Sequence, residues 1–189
     1  MEKDIKKLAL EWCKNEKGEI PDREYYCETR DVFEARNDKT PEMLIRGGFD
    51  ENVAYLIYSM LGELGNNSFD HNLGNWPDVK GVFFSVEYDG EKGVAVIADR
   101  GLGVLSTLKK VAPNLANDQE AVELAFTKKI SSRVLENRGN GLKFVRNNIR
   151  EKKLFLEFYS GDAYVSINYD MTIGQEDNRI DGCLVLLYF

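Results

Sequence analysis

The chain has 189 residues, of which 43% are apolar and 30% charged, so it can bury a core and stay soluble, which excludes wholesale disorder. That size fits one ordinary domain or one domain with a modest extension. Lys and Arg number 25 against 32 Asp and Glu, and a net charge of -7 argues against nucleic acid or an anionic membrane as partner unless basic residues are locally concentrated.

The N-terminal MEKDIKKLALEW is a charged amphipathic pattern, not a signal peptide, and no long apolar run follows it. Ile5, Leu8, Ala9 and Trp12 have helical spacing, and a helix there would end at residues 15 to 18. Residues 19 to 48 are polar and aromatic, punctuated by Pro21 and Pro41, with a helix expected over roughly residues 22 to 36. This first quarter (residues 1–48) differs in texture from the rest and reads as a helical extension or cap, or as a partner or dimer surface. Cys13, Cys27 and Cys183 are scattered and odd in number; they read as reduced thiols of a cytoplasmic protein, not as a disulfide frame or zinc site. One histidine, His71, is too few for a multi-histidine metal centre in a single chain.

Asp50 can cap a helix whose Val53, Leu56, Ile57, Met60, Leu61 and Leu64 form one apolar stripe. Strand-like runs at residues 81 to 88 and 93 to 98 meet at Asp89-Gly90, a hairpin signal. Residues 104 to 111 and 119 to 126 read as helices, 127 to 140 as a polar basic loop, and 142 to 152 as a helix with Leu142, Val145 and Ile149 inward. Three further strands are expected at residues 154 to 159, 163 to 169 and 183 to 189. The fold class is therefore α+β: a two-layer sandwich with a mixed, mostly antiparallel sheet and helices on one face.

Three short motifs stand out. Glu63, Asn67 and His71 are spaced by four, so they share one helix face, where a carboxylate and a carboxamide can polarise a water and hold a hard metal ion. A solvated helix face would look the same. Gly65 within that helix costs about 1 kcal/mol relative to Ala, which implies that something needs room at that turn. Asp99, Gly101 and Gly103 follow an apolar strand; the carboxylate can accept from an amino group, and the glycines allow close approach to the backbone. Asp-x-Gly-x-Gly is also an ordinary strand-to-helix turn. Arg138, Gly139 and Gly141 run into a helix at Leu142, where free N–H groups and the helix dipole favour phosphate, although a glycine-rich helix start need hold no ligand.

In this order and context the three motifs resemble the GHKL superfamily, whose members include histidine-kinase catalytic domains, anti-sigma-factor serine kinases and type II topoisomerase ATPase domains. The resemblance covers residues 49 to 189 and implies the histidine-kinase-like (Bergerat) ATPase fold, with ATP and Mg²⁺ as cofactors. It implies that Glu63 orients or activates the nucleophile, Asn67 ligates magnesium, and Asp99 receives the adenine amino group, with Gly101 and Gly103 shaping the pocket. By the same resemblance Gly139, Gly141 and the Leu142 N–H face the phosphates. Lys128 and Arg138 supply charge from a mobile lid, and His71 is a helix-end residue near the site. Cys183 stands where the family usually carries a threonine that reaches the adenine region, and a thiol is a weaker hydrogen-bond partner.

The function implied is a standalone regulatory protein kinase or slow ATPase that binds ATP or ADP and works with a partner protein, with a homodimer left open. The alternative is a nucleotide-sensing interaction module without turnover. Autophosphorylation on histidine is not expected, because His71 is the only one.

Overall fold

A computed structural model describes residues 4–128, 141–152 and 154–189. The helices are α1 (Ile5–Lys14), α2 (Arg30–Asn37), α3 (Thr40–Arg46), α4 (Glu51–Asn72), α5 (Gly103–Leu108), α6 (Asp118–Thr127) and α7 (Gly141–Lys152). The strands are β1 (Tyr26–Cys27), β2 (Val82–Tyr88), β3 (Gly93–Asp99), β4 (Phe155–Ile167) and β5 (Met171–Tyr188). They form one open sheet in the order β1-β2-β3-β5-β4, and every neighbouring pair is antiparallel. The α+β class holds, while the mixed pairing expected from the sequence is replaced by a wholly antiparallel set.

Local chemistry explains the element ends. Asp50 caps α4 by accepting from the Val53 N–H at 3.1 Å. The β2–β3 hairpin turns at Asp89-Gly90, where Asp89 Oδ1 accepts from the Glu91 and Lys92 N–H groups and Gly90 has φ +102°. The helix expected over residues 22 to 36 begins only at Arg30, because Thr29 caps it there and Tyr26 and Cys27 pair with β2 instead. The strands expected at 154 to 159 and 163 to 169 are one strand, β4, which passes through irregular pairing at Ser160, Gly161 and Ala163. β5 begins at Met171, twelve residues before the expected start at Cys183, and pairs through Gln175 with the far half of β4.

The core lies on both faces of the sheet. On the first, Ala95, Ile97, Val185 and Leu187 pack with Phe33 of α2, Ile57 and Leu61 of α4, Phe126 of α6 and Val145 and Ile149 of α7. Alternate residues Val96, Ala98, Leu184 and Leu186 face the other way and pack with Ile5, Ala9, Trp12 and Cys13 of α1. Helices are thus not confined to one face, since α1 covers part of the second. The first-quarter segment contributes to both clusters, through Cys27, Phe33 and Leu44 on one side and Ile5, Trp12 and Tyr25 on the other.

α2 is fastened to α4. Phe33 sits where a Cβ on Gly65 would fall, Asn37 Nδ2 donates to the Tyr58 carbonyl at 3.1 Å, and Arg30 forms an ion pair with Asp70. The room that Gly65 provides is therefore occupied by Phe33. Among the described residues no helix is long and apolar enough to cross a membrane.

Candidate functional site

Asp99 is the last residue of β3 and is only 2% exposed. Its carboxylate gathers donors from two elements. Ser68 Oγ of α4 donates to Oδ2 at 2.7 Å; the Gly101 N–H donates to Oδ1 at 2.9 Å, and Asn72 Nδ2 of α4 to the same oxygen at 3.3 Å. Burial pushes the Asp99 carboxyl above its ordinary range, and these hydrogen bonds, with one from the Cys183 backbone, pull in the opposite direction. Ser68 and Asn72 lie four apart on one face of α4, and Asn72 Nδ2 also donates to the Ser68 carbonyl at 2.8 Å.

The loop after Asp99 is shaped by what it must pass. A Cβ on Gly101 would fall on the Asn72 carboxamide. Gly103 has φ +73°, a conformation glycine adopts without strain, and opens α5. Gly182 on β5 has φ +75°, and a Cβ there would lie 2.6 Å from both Asp99 Oδ1 and the Gly101 nitrogen. Ser160 links the neighbouring strands to this loop: its Oγ accepts from the Val104 N–H at 2.9 Å and donates to the Gly182 carbonyl at 3.1 Å. Cys183 pairs with Asp99 across the sheet, and its thiol is directed to Ser160 Oγ at 3.6 Å.

Five residues before Ser68 and Asn72 respectively, Glu63 and Asn67 of α4 meet the start of α7. A Cβ on Gly141 would lie 2.6 Å from Glu63 Oε2 and 3.6 Å from Asn67 Nδ2. A side chain there would press on the end of the Glu63 carboxylate. Glu63 is exposed, while Asn67, His71, Gly141 and Leu142 are half-buried. Lys128 is exposed at the C-terminal end of α6, where its N–H donates to the Leu124 carbonyl at 3.0 Å. Arg138 and Gly139, with most of the expected lid, lie outside the described residues.

Arg100, next to Asp99 in the chain, points to the opposite face of the sheet and is 3% exposed. Its Nε and Nη2 bond Asp78 Oδ2 at 2.9 and 2.5 Å, and its Nη1 donates to the Trp12 and Cys13 carbonyls at 2.6 and 3.1 Å. Those carbonyls belong to the last turn of α1, whose C-terminal acceptors suit a cation, and the Trp12 carbonyl also accepts from the Asn15 N–H at 3.3 Å. Arg100 in turn holds the Asp78 carboxyl below the usual carboxylate range.

The structure thus brings Asp99, Gly101, Gly103 and Cys183 together at one end of α4, and sets Glu63 and Asn67, earlier on the same helix, against Gly141 at the start of α7. Sequence reasoning did not assign Ser68, Asn72, Ser160 or Gly182 to the site. The i, i+4 spacing of Ser68 and Asn72, one position beyond the Asn67 and His71 pair, was an available signal. Ser160 and Gly182 meet the site only through strand pairing, which no local pattern announces. Among the described residues no group of three or more His, Cys, Asp or Glu side chains is placed to hold a metal ion. No protein-family model and no curated protein matches the chain.

Proposed function

We propose that this chain is an ATP-binding, Mg²⁺-dependent domain of the histidine-kinase-like (GHKL) type, acting as a regulatory protein kinase or slow ATPase together with a partner protein. The observation that carries the reading is that one helix, α4, engages the carboxylate motif through Ser68 and Asn72 and the glycine at the opening of α7 through Glu63 and Asn67. A buried acceptor for an amino group and a glycine-led helix start for phosphate then share one rigid support.

In this reading Asp99 accepts from the adenine amino group, which selects against guanine because guanine presents an acceptor at the corresponding position. Gly141 and the Leu142 N–H receive the phosphates, and Lys128 adds charge from the end of α6. Glu63, exposed beside that opening, orients or deprotonates the attacking group. Asn67 would hold the magnesium ion: its carboxamide faces Gly141 through Nδ2, and turning that amide over would present a hard oxygen to the ion at the same place. When bound, it would neutralise phosphate charge.

Calorimetric titration with ATP, ADP and GTP, with and without Mg²⁺, tests the proposal. Adenine-selective, Mg²⁺-assisted binding that weakens at least tenfold in Asp99→Asn is the expected result. That variant should fold, because its carboxamide oxygen can take the place of Oδ1 and its NH₂ can donate to a rotated Ser68 hydroxyl. No nucleotide binding by the folded wild-type protein, or unchanged ATP affinity in Asp99→Asn, would overturn it.

A further inference from the structure

Asn72 occupies the last position of α4 and uses both ends of its carboxamide. Its Oδ1 accepts from the Leu102 N–H at 2.9 Å, while its Nδ2 donates to the Ser68 carbonyl at 2.8 Å and to Asp99 Oδ1 at 3.3 Å. The backbone N–H can only donate and the carbonyl can only accept, so the amide has one orientation. Gly101 is bare against its plane, since a Cβ there would collide with the group. Few side chains meet these demands. A leucine would leave the Leu102 N–H unpaired, and an aspartate would satisfy Leu102 but set a second carboxylate against Asp99.

We propose that Asn72 is a positioning residue for nucleotide recognition: a neutral N–H donor that fixes the aim of the Asp99 carboxylate and, through Leu102, the path of the glycine loop beside it. This inference rests on the nucleotide-binding reading above and extends it to a residue that touches no ligand itself. The titratable groups near Asp99 are the Cys183 thiol of β5, on the same side of the sheet, and the Cys13 thiol of α1, on the other; burial pushes both up, so they stay neutral through the physiological range. Arg100, the adjacent residue, is engaged with Asp78 on the other side of the sheet. On α4 the groups facing Asp99 are Ser68 and Asn72, and neither titrates. A new carboxyl at position 72 would therefore titrate against Asp99, with His71, its half-buried neighbour on α4, the other ionisable group beside it.

Asn72→Asp makes the role measurable. When protonated, the introduced carboxyl donates to Asp99 as the carboxamide does; when ionised, it repels Asp99, because two carboxylates so close cannot both hold charge cheaply. The ratio of wild-type to variant ATP affinity should be near one at about pH 5.5 and reach tenfold or more by about pH 8.5, a change of the size expected for losing a hydrogen bond to a charged group. A ratio that is flat with pH would overturn the inference.

Should that variant fail to fold, the wild-type protein still decides. ATP saturation should shift the NMR resonances of the Asn72 side-chain amide, and unmoved resonances would overturn the inference. If wild type binds ATP and Asp99→Asn does not, while Asn72→Asp follows wild type at every pH, only the role of Asn72 falls. A folded wild-type chain that binds no adenine nucleotide overturns both readings.

Discussion

Replacing Gly65 by alanine sets two opposed effects against each other on one turn of α4. Helix propensity alone favours alanine by about 1 kcal/mol in a helix interior. The new Cβ, however, would meet three atoms of the Phe33 ring at once. That ring is fully buried, edge-on to Phe84 with centroids 5.0 Å apart and tilted against Phe69 at 6.1 Å, so it cannot swing aside. Forcing an extra methyl into a packed core costs about 1–3 kcal/mol, and expelling the ring instead would forfeit a similar burial energy. We expect Gly65→Ala to lose about 1 kcal/mol net, read as a lower denaturant midpoint at unchanged slope. In a Phe33→Leu background, where the ring is gone, the same change should cost less, with a coupling of about 0.5–3 kcal/mol. A more stable Gly65→Ala, or an equal cost in both backgrounds, would refute the claim that Phe33 occupies that turn.

Three further outcomes are expected. Glu63→Ala should bind ATP as wild type does but show no turnover, with stability changed by less than about 0.5 kcal/mol because the side chain is exposed; hydrolysis at the wild-type rate would remove Glu63 from its role. Asp99 is held above its unfolded range by burial, so the folded state binds its proton more tightly and stability falls as pH rises from the unfolded value through the folded one. Urea midpoints between about pH 4 and 8 should then show Asp99→Asn gaining on wild type with rising pH, and a trend of opposite sign would mean that the carboxyl is held down. Arg100→Met leaves the Cys13 carbonyl without the guanidinium, the Trp12 carbonyl with only the Asn15 N–H, and Asp78 without its counter-charge, and should cost about 3 kcal/mol, lowering the thermal midpoint and exposing Trp12 to quencher; a midpoint equal to wild type would show that the clamp holds nothing.

Much of the fold was legible where one periodicity dominated. The α4 stripe, the Asp89-Gly90 turn and the inward face of α7 followed from spacing and local turn chemistry. The long β5 was not, because its first half, residues 171 to 181, is largely exposed and polar; pairing with β4 makes it a strand. α1 was read as a helix, but its place on the second face depends on alternate residues of β3 and β5 being apolar, which also suits a strand buried on both sides for other reasons. Within the site, the named glycines and carboxylate lay in local motifs. Ser160, Gly182 and the direction of Arg100 are set by contacts across the sheet, and a linear pattern carries no trace of them.

The packing of α1 also bears on where this protein can be cut. A fragment starting after residue 48 would bare Phe83, Val96, Ala98, Leu184 and Leu186 as one contiguous apolar patch. It would also strip Arg100 of its two carbonyl partners, one residue from Asp99. Such a patch invites self-association, so a fragment trimmed to the three motifs would precipitate or pair with its own copies before the binding of any ligand could be weighed.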